Sequence, residues 1–272
     1  MRLPFTKMEG AGNDYVYVDA LQAPFPLELG AELARRLADR HFGIGGDGLI
    51  VLAPSTLADA RMWMWNADGS RGAMCGNGIR CLAKLWHDHG HGRRDALRVE
   101  TDSGVRAVRL LRDAQGVVVG AQVAMERVRV AAEPAALDAH GRTWHYHAGD
   151  AGNPHAVVFT SEDPETLPVA EVGAAFQRAA PFPGGVNVEF VRVTGTDALY
   201  QRTFERGSGE TLACGSGATV AAQAAWVTGR ASGPRVAVRL RGGTLHVLRD
   251  GQNLVLEGPA RTVFAGETDI PD

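Results

Sequence analysis

The sequence predicts an α+β protein of two similar lobes, each mostly β-strand with one central helix. Three observations lead there. First, a long motif occurs twice, as Asn66-Ala-Asp-Gly-Ser-Arg-Gly-Ala-Met-Cys75-Gly-Asn77-Gly and as Glu205-Arg206-Gly-Ser-Gly-Glu-Thr-Leu-Ala-Cys214-Gly-Ser216-Gly. Second, other features recur at the same spacing of 139 positions: Gly45-Gly46 with Gly184-Gly185, Gly104 with Gly243, Leu33 and Leu37 with Val172 and Phe176. Gly12-Asn13 and Gly152-Asn153 stand 140 apart. Third, 272 residues with 45% hydrophobic and 22% charged side chains are ordinary globular values, at a length that suits two domains. Ordered matches at one offset are the signature of an internal repeat.

Each element of one lobe has a counterpart in the other. Strands are expected at 15–18 and 156–159, where apolar residues run together. Short amphipathic helices follow at 29–40 and 169–179, with apolar residues three and four apart. Strands at 49–52 and 188–193 come next, then strands at 61–65 and 200–204 that run into the cysteine motifs. Helices at 79–89 and 218–228 follow the motifs. Strands at 97–101, 105–111 and 117–124 close the first lobe; 235–240, 244–248 and 254–257 close the second. The seam is expected near 116–124, with the chain from Val263 returning to the first lobe. The lobes are then residues 1–118 plus 263–272, and residues 119–262.

Composition excludes several functions. Net charge is −3, with Lys+Arg 28 against Asp+Glu 31, so a general nucleic-acid binder is not expected. Three cysteines cannot all pair, which reads as an intracellular, cytoplasmic chain. The N-terminal residues lack the apolar core of a signal peptide. Residues 211–229 are uncharged but built of small side chains, too weakly apolar for a membrane span. Lys7 and Lys84 are the only lysines, and neither has a recognisable cofactor context, so pyridoxal chemistry is disfavoured and no cofactor is expected.

Both Cys75 and Cys214 stand in Cys-Gly-x-Gly directly before a helix. The glycines allow a tight turn that exposes backbone N–H groups, and those groups with the helix dipole make an anion site. The same field favours thiolate over thiol. Two such sites, facing each other across the cleft between lobes, suit inversion of a stereocentre: one thiolate removes an α-proton, and the other thiol protonates the opposite face. The N–H cradle would hold the α-carboxylate and stabilise charge developing on it. A lone free cysteine is most often a small buried residue, and Cys81 is read that way, since Val220 holds its place in the second lobe.

These residues resemble the diaminopimelate epimerase family over essentially the whole chain. The resemblance rests on Lys7-Met-Glu-Gly-Ala-Gly-Asn13-Asp, Asp39-Arg-His-Phe-Gly-Ile-Gly, the Asn66 and Cys75 motif, Gly152-Asn153-Pro-His155-Ala, Val186-Asn187-Val, and the Glu205-Arg206 and Cys214 motif. It implies a mostly antiparallel, barrel-like sheet around the central helix of each lobe. It implies a cofactor-independent two-thiol epimerase that interconverts LL- and meso-2,6-diaminopimelate, a precursor of lysine and peptidoglycan, with a homodimer as the assembly. Cys75 and Cys214 would be the acid/base pair. Asn13, Asn66, Asn153, Asn187, Glu205 and Arg206 would bind substrate, and Gly76-Asn77 with Gly215-Ser216 would cradle the reacting carboxylate. His155 and Glu205 would tune the thiols. Arg206 suits a distal carboxylate as a bidentate clamp, and Asn side-chain carbonyls suit the distal ammonium.

One position departs from the family pattern. Many relatives carry Gln where this chain has Gly48, so a side-chain contact to substrate is lost there. Asn13 and Asn153 follow glycine and also fit turn roles. Glu205 and Arg206 also fit a solvated surface pair.

Rival readings are weaker. A proline racemase relative has no need of Arg206 in a distal pocket. A thiol redox protein lacks Cys-x-x-Cys spacing, and a binding module has no use for two duplicated thiols. Gly43-Ile-Gly-Gly-Asp-Gly lies between a helix and a strand, the reverse of a dinucleotide loop. His87, His89 and His91 alternate at a helix C-terminus, where their positive character is explanation enough, and no metal is expected.

Overall fold

The computed structural model describes residues 2–125, 128–251 and 253–270. In chain order its strands and α-helices are β1 (Arg2–Gly10), β2 (Asn13–Asp19), α1 (Gly30–Ala38), β3 (Gly48–Ala53), β4 (Ala60–Asn66), α2 (Gly76–Asp88), β5 (Ala96–Thr101), β6 (Gly104–Arg112), β7 (Val118–Met125), β8 (Arg129–Val130) and β9 (Ala135–Ala139). Then come β10 (Arg142–Asp150), β11 (Pro154–Phe159), α3 (Val169–Gln177), β12 (Asn187–Gly195), β13 (Ala198–Glu205), β14 (Gly209–Thr211), α4 (Gly215–Val227), β15 (Arg235–Leu240), β16 (Gly243–Asp250), β17 (Asn253–Pro259) and β18 (Arg261–Asp269). The chain divides into two compact units, Met1–Val123 with Gly258–Asp272, and Ala124–Glu257.

In the first unit β1 pairs antiparallel with both β18 and β2. The pair β2–β3 is parallel, β3–β4 antiparallel, β4–β5 parallel, and β5–β6 and β6–β7 antiparallel. The far edge curls back: Ala260 N–H donates to Val119 O at 3.1 Å. A Cβ added at Gly120 would lie 2.4 Å from Gly258 O, so only glycine permits that approach. This curled sheet encloses α2, which contacts β1, β2, β3, β5 and β6. Accordingly α2 is buried without interruption from Asn77 to Trp86. Its charged residues are satisfied inside: Arg80, wholly buried, donates to Gly76 O, Asn77 Oδ1 and Pro259 O at 3.0, 2.7 and 3.2 Å. Lys84 Nζ donates to Val118 O at 2.9 Å and pairs with Asp88. The shorter α1 packs outside, with Leu33 and Leu37 against Val16, Val18, Leu49, Val51 and Trp65.

The second unit repeats the plan. The pair β11–β12 is parallel, β12–β13 antiparallel, β13–β15 parallel, and β15–β16 and β16–β17 antiparallel. Strand β10 pairs antiparallel with β8, β9 and β11, and β13 with β14. Helix α4 is the enclosed one, in contact with β8, β10, β11, β12, β13, β15 and β16. On α3, Val172 and Phe176 pack with Trp144, Val158, Val188 and Phe190. The expected α+β class, with a mostly antiparallel curled sheet around a central helix in each half, is what the molecule has.

Several boundaries differ from the sequence expectation. The central helices start at Gly76 and Gly215, three residues ahead of 79 and 218. Glycine is a poor helix former, but each cysteine side chain caps the helix by accepting the backbone N–H of Gly78 or Gly217, which draws the glycine turn into the first helical turn. Strands β1, β9, β10 and β18 were not expected. Polar or charged residues interrupt each of them, and β18 is exposed from Arg261 to Glu267, so no apolar run marks them.

Candidate active site

In the first unit Cys75 is the N-cap of α2, with extended backbone, and Gly78 N–H donates to its Sγ at 3.3 Å. The thiol donates to Asn13 Oδ1, also at 3.3 Å. Asn13 opens β2, and its Nδ2 is held by Asp47 Oδ2 at 2.6 Å. Asp47 also accepts Asp14 N–H and is paired to Arg40 at 3.0 Å. Burial pushes the Asp47 carboxyl up. Burial pushes Asp14 up as well, but hydrogen bonds from Arg40 and Lys7 outweigh it and hold its carboxyl below the usual range. Asp47, which orients the Asn13 amide, carried no sequence signal.

Gly76 and Asn77 are the first two residues of α2, where backbone N–H groups have no helical acceptor. The Asn77 side chain is turned inward onto Arg80, so its contribution to an anion cradle is limited to the backbone. Asn66 closes β4, with Nδ2 on Ser70 Oγ at 2.9 Å. Gly48 lies opposite Asn66 in the ladder, and a Cβ there would fall 2.1 Å from Trp65 O. A side chain at this position would therefore displace backbone, and the strand packing accounts for the glycine. Cys81 is buried in α2, and burial pushes its thiol up to about 12, in keeping with a core residue.

In the second unit Cys214 is the N-cap of α4. Gly217 N–H and Ser216 Oγ lie 3.4 Å from its Sγ, and Gly215 is the first helical residue. Glu205, at the end of β13, hydrogen-bonds the Cys214 thiol and the Thr211 hydroxyl. Burial pushes the Glu205 carboxyl up, against those two bonds. His155 on β11 is fully buried; its Nε2 meets Asn153 Oδ1 at 3.0 Å and its Nδ1 meets Glu189 Oε1 at 2.9 Å. His155 is also the ladder partner of Asn187, whose Oδ1 accepts Arg206 N–H at 2.8 Å. The Arg206 guanidinium is exposed, with Nη1 3.4 Å from Gly184 O.

Glu189, like Asp47, carried no sequence signal. It is fully buried, its Oε2 has no hydrogen-bond partner, and a Cβ at Gly217 would fall 2.5 Å from its Oε1. Helix α4 therefore reaches this carboxylate only because Gly217 lacks a side chain. The surroundings correct one expectation. A helix N-terminus alone would lower the Cys214 thiol, but burial, then the charges of Glu205 and Glu189, push it well above its ordinary value. At the equivalent positions the first unit has Asn66 for Glu205, Ile50 for Glu189 and Tyr15 near the place of His155. The two thiols thus share a cap and differ in charge environment.

The family profile described as diaminopimelate epimerase matches residues 5–128 and 148–263. A diaminopimelate epimerase of Leptospira biflexa is 41% identical over 284 aligned positions, covering 99% of this chain and all of that one. One from Desulfovibrio desulfuricans is 42% identical and covers 97% and 98%. Among solved structures, a Bacillus anthracis phenazine biosynthesis protein of the PhzF family superposes with a TM-score of 0.78 at 15% identity, covering 99% of this chain and 100% of that one. A hydroxyproline epimerase from Agrobacterium vitis gives 0.75 at 16%, with 100% and 93% covered. At these identities the structural likeness speaks for the fold.

Proposed function

The chain belongs to the diaminopimelate epimerase family and is an isomerase that epimerises diaminopimelate, and from that premise we propose that Cys75 and Cys214 are the two proton-transfer groups of the reaction. Inversion at carbon needs a proton taken from one face and another given to the opposite face. A thiolate can take the first and a thiol can give the second, their roles reversing with the direction of reaction. The observation that carries the reading is the shared cap: each sulfur sits at the first turn of a 13-residue central helix and accepts one backbone N–H. The remaining N–H groups of Gly76-Asn77 and Gly215-Ser216 are suited to the α-carboxylate, where negative charge grows as the α-proton leaves.

Substrate roles follow residue by residue. Asn13, Asn66, Asn153 and Asn187 offer amide oxygens and nitrogens to the two amino-acid ends of the substrate. The exposed Arg206 guanidinium suits the distal carboxylate. Gly48 contributes backbone only. Glu205 shares a hydrogen bond with the Cys214 thiol, and its charge tunes that thiol. His155 orients Asn153 and, with Glu189, sets the charge around Cys214. No cofactor takes part in any of these steps.

The reading extends to a cytoplasmic homodimer in lysine biosynthesis. The three cysteines, present as thiols, fit a reducing compartment, and Val263 and Phe264, exposed on β18, offer apolar side chains for pairing. Sedimentation of the wild type against Phe264→Asp tests the dimer.

The test of the chemistry is solvent exchange. Purified protein, dialysed against a chelator and treated with a carbonyl reagent, is given LL-diaminopimelate in deuterium oxide. Formation of the meso isomer with one α-deuterium is expected. Loss of activity under either treatment, or inversion without deuterium uptake, would refute the two-thiol route.

A further inference from the structure

We propose that Asp19, His89 and His91 form a binding site for a divalent transition ion of the zinc type, separate from the thiol chemistry. The three side chains offer ligand atoms that all lie within 4.8 Å of one another. Asp19 Oδ2 lies 2.7 Å from His89 Nδ1 and 2.6 Å from His91 Nε2. The nitrogens converge on one oxygen although Asp19 is 70 and 72 positions away in sequence, which is why residue spacing did not reveal the group.

The donors are held before any ion arrives. Asp19 closes β2, and its other oxygen, Oδ1, is occupied by Leu21 N–H at 3.0 Å, leaving Oδ2 to the imidazoles. His89 caps the C-terminus of α2, its N–H bound to Leu85 O at 2.9 Å. Gly90, at φ +80°, turns the chain so that His91 N–H returns to Trp86 O at 3.1 Å and its ring comes back to Asp19. A site whose backbone is already fixed loses little freedom on binding. The Asp19 side chain is 6% exposed while those of His89 and His91 are 30% and 17% exposed, so the carboxylate anchors the floor and solvent reaches the ion position from the histidine side.

Charge and donor type favour the same ligand. The C-terminus of a helix carries partial negative charge, which attracts a cation. Two imidazole nitrogens and one carboxylate oxygen suit zinc and its neighbours, with a fourth position left to water. An ion would take the place of the two direct contacts to Oδ2, the imidazoles parting from it to coordination distance. His87, the third histidine of the run, is committed elsewhere: Nδ1 to Asp88 at 3.2 Å and Nε2 to Arg112 at 2.9 Å.

Cobalt distinguishes this site from the cysteines. Chelator-treated full-length protein is titrated with Co2+ and followed by absorption spectroscopy. One equivalent is expected to give visible ligand-field bands without the intense near-ultraviolet sulfur-to-cobalt band of thiolate ligation. Zn2+ should displace it, and Zn2+ should raise the thermal midpoint of the wild type. Both effects should vanish in His89→Ala and in His91→Ala, whose partly exposed rings are not part of a core. Asp19→Asn should weaken binding by at least about tenfold. Absence of visible bands, bands that persist in both histidine variants, or sulfur bands alone would overturn the proposal and leave a hydrogen-bonded His–Asp–His group or adventitious thiol binding.

Discussion

His155 Nδ1 meets Glu189 Oε1 at 2.9 Å with neither side chain exposed to solvent, while the second oxygen of Glu189 has no hydrogen-bond partner. A buried carboxylate with one free oxygen beside a thiol carries a strong local field. That field is one of the causes that hold Cys214 protonated. Glu189→Gln keeps the shape and removes the charge. The Cys214 thiol is then expected to ionise at lower pH than in the wild type, read from the pH dependence of its alkylation by iodoacetamide in a Cys75→Ala background. An unchanged alkylation profile would assign Glu189 a packing role only.

Cys75→Ala and Cys214→Ala should each lower epimerase turnover by at least about 10³-fold, within the usual range for loss of an acid/base group. Cys81→Ala should retain turnover and lose about 1 kcal/mol of stability, the order of one buried methylene-sized group. Coupled assay of meso formation and denaturant melts check both. Full turnover in either of the first two variants would remove that thiol from the reaction.

Stability should fall in alkali. Burial raises Cys81 to about 12 and raises Cys214 in the same direction. Groups held protonated in the folded state bind more protons there than in the unfolded chain, so their contribution is complete below the unfolded thiol value and is lost as pH rises above it. The unfolded value is about 8.5. The urea midpoint is therefore expected to drop steadily from pH 8 to pH 10. The double variant Cys81→Ala/Cys214→Ala should show a shallower slope, and an equal slope would place the titration elsewhere.

Arg206→Lys should raise KM for diaminopimelate by about 10- to 100-fold with a smaller effect on kcat, since a charged hydrogen bond of about 1.5–3 kcal/mol is lost when the planar fork becomes a point charge. Steady-state kinetics with the full substrate decide it. A loss confined to kcat would mean that Arg206 acts on the reacting centre.

Much of this was legible before the structure because duplication wrote it twice. The cysteine motifs, the asparagines and the outer helices repeat in sequence, and the strand pairings repeat with them. What stayed hidden lacks a counterpart or a local signal. Glu189 stands between Val188 and Phe190 and matches Ile50, so the offset that exposed Cys214 concealed it. Asp47 and Asp19 act on residues 34 and 70 positions away, beyond any helical or strand period. Strand β18 presents exposed side chains along most of its length and gains its place from backbone bonds to β1. The early start of α2 and α4 depends on a sulfur acting as a cap, which no propensity scale includes.

Strand β18 has a further consequence, for synthesis. Arg2 pairs with Asp269 and Leu3 with Thr268, so β1 is completed by a strand that follows the whole second unit in the chain. The second unit is one continuous stretch, Ala124–Glu257, and all its strands are available before β18 leaves the ribosome. It can close while translation continues. The first unit, although most of its residues emerge earlier, keeps the β1 edge unpaired until β18 is made. Nascent chains stalled before residue 261 should be the form of this protein that chaperones hold longest, and the form most prone to aggregate.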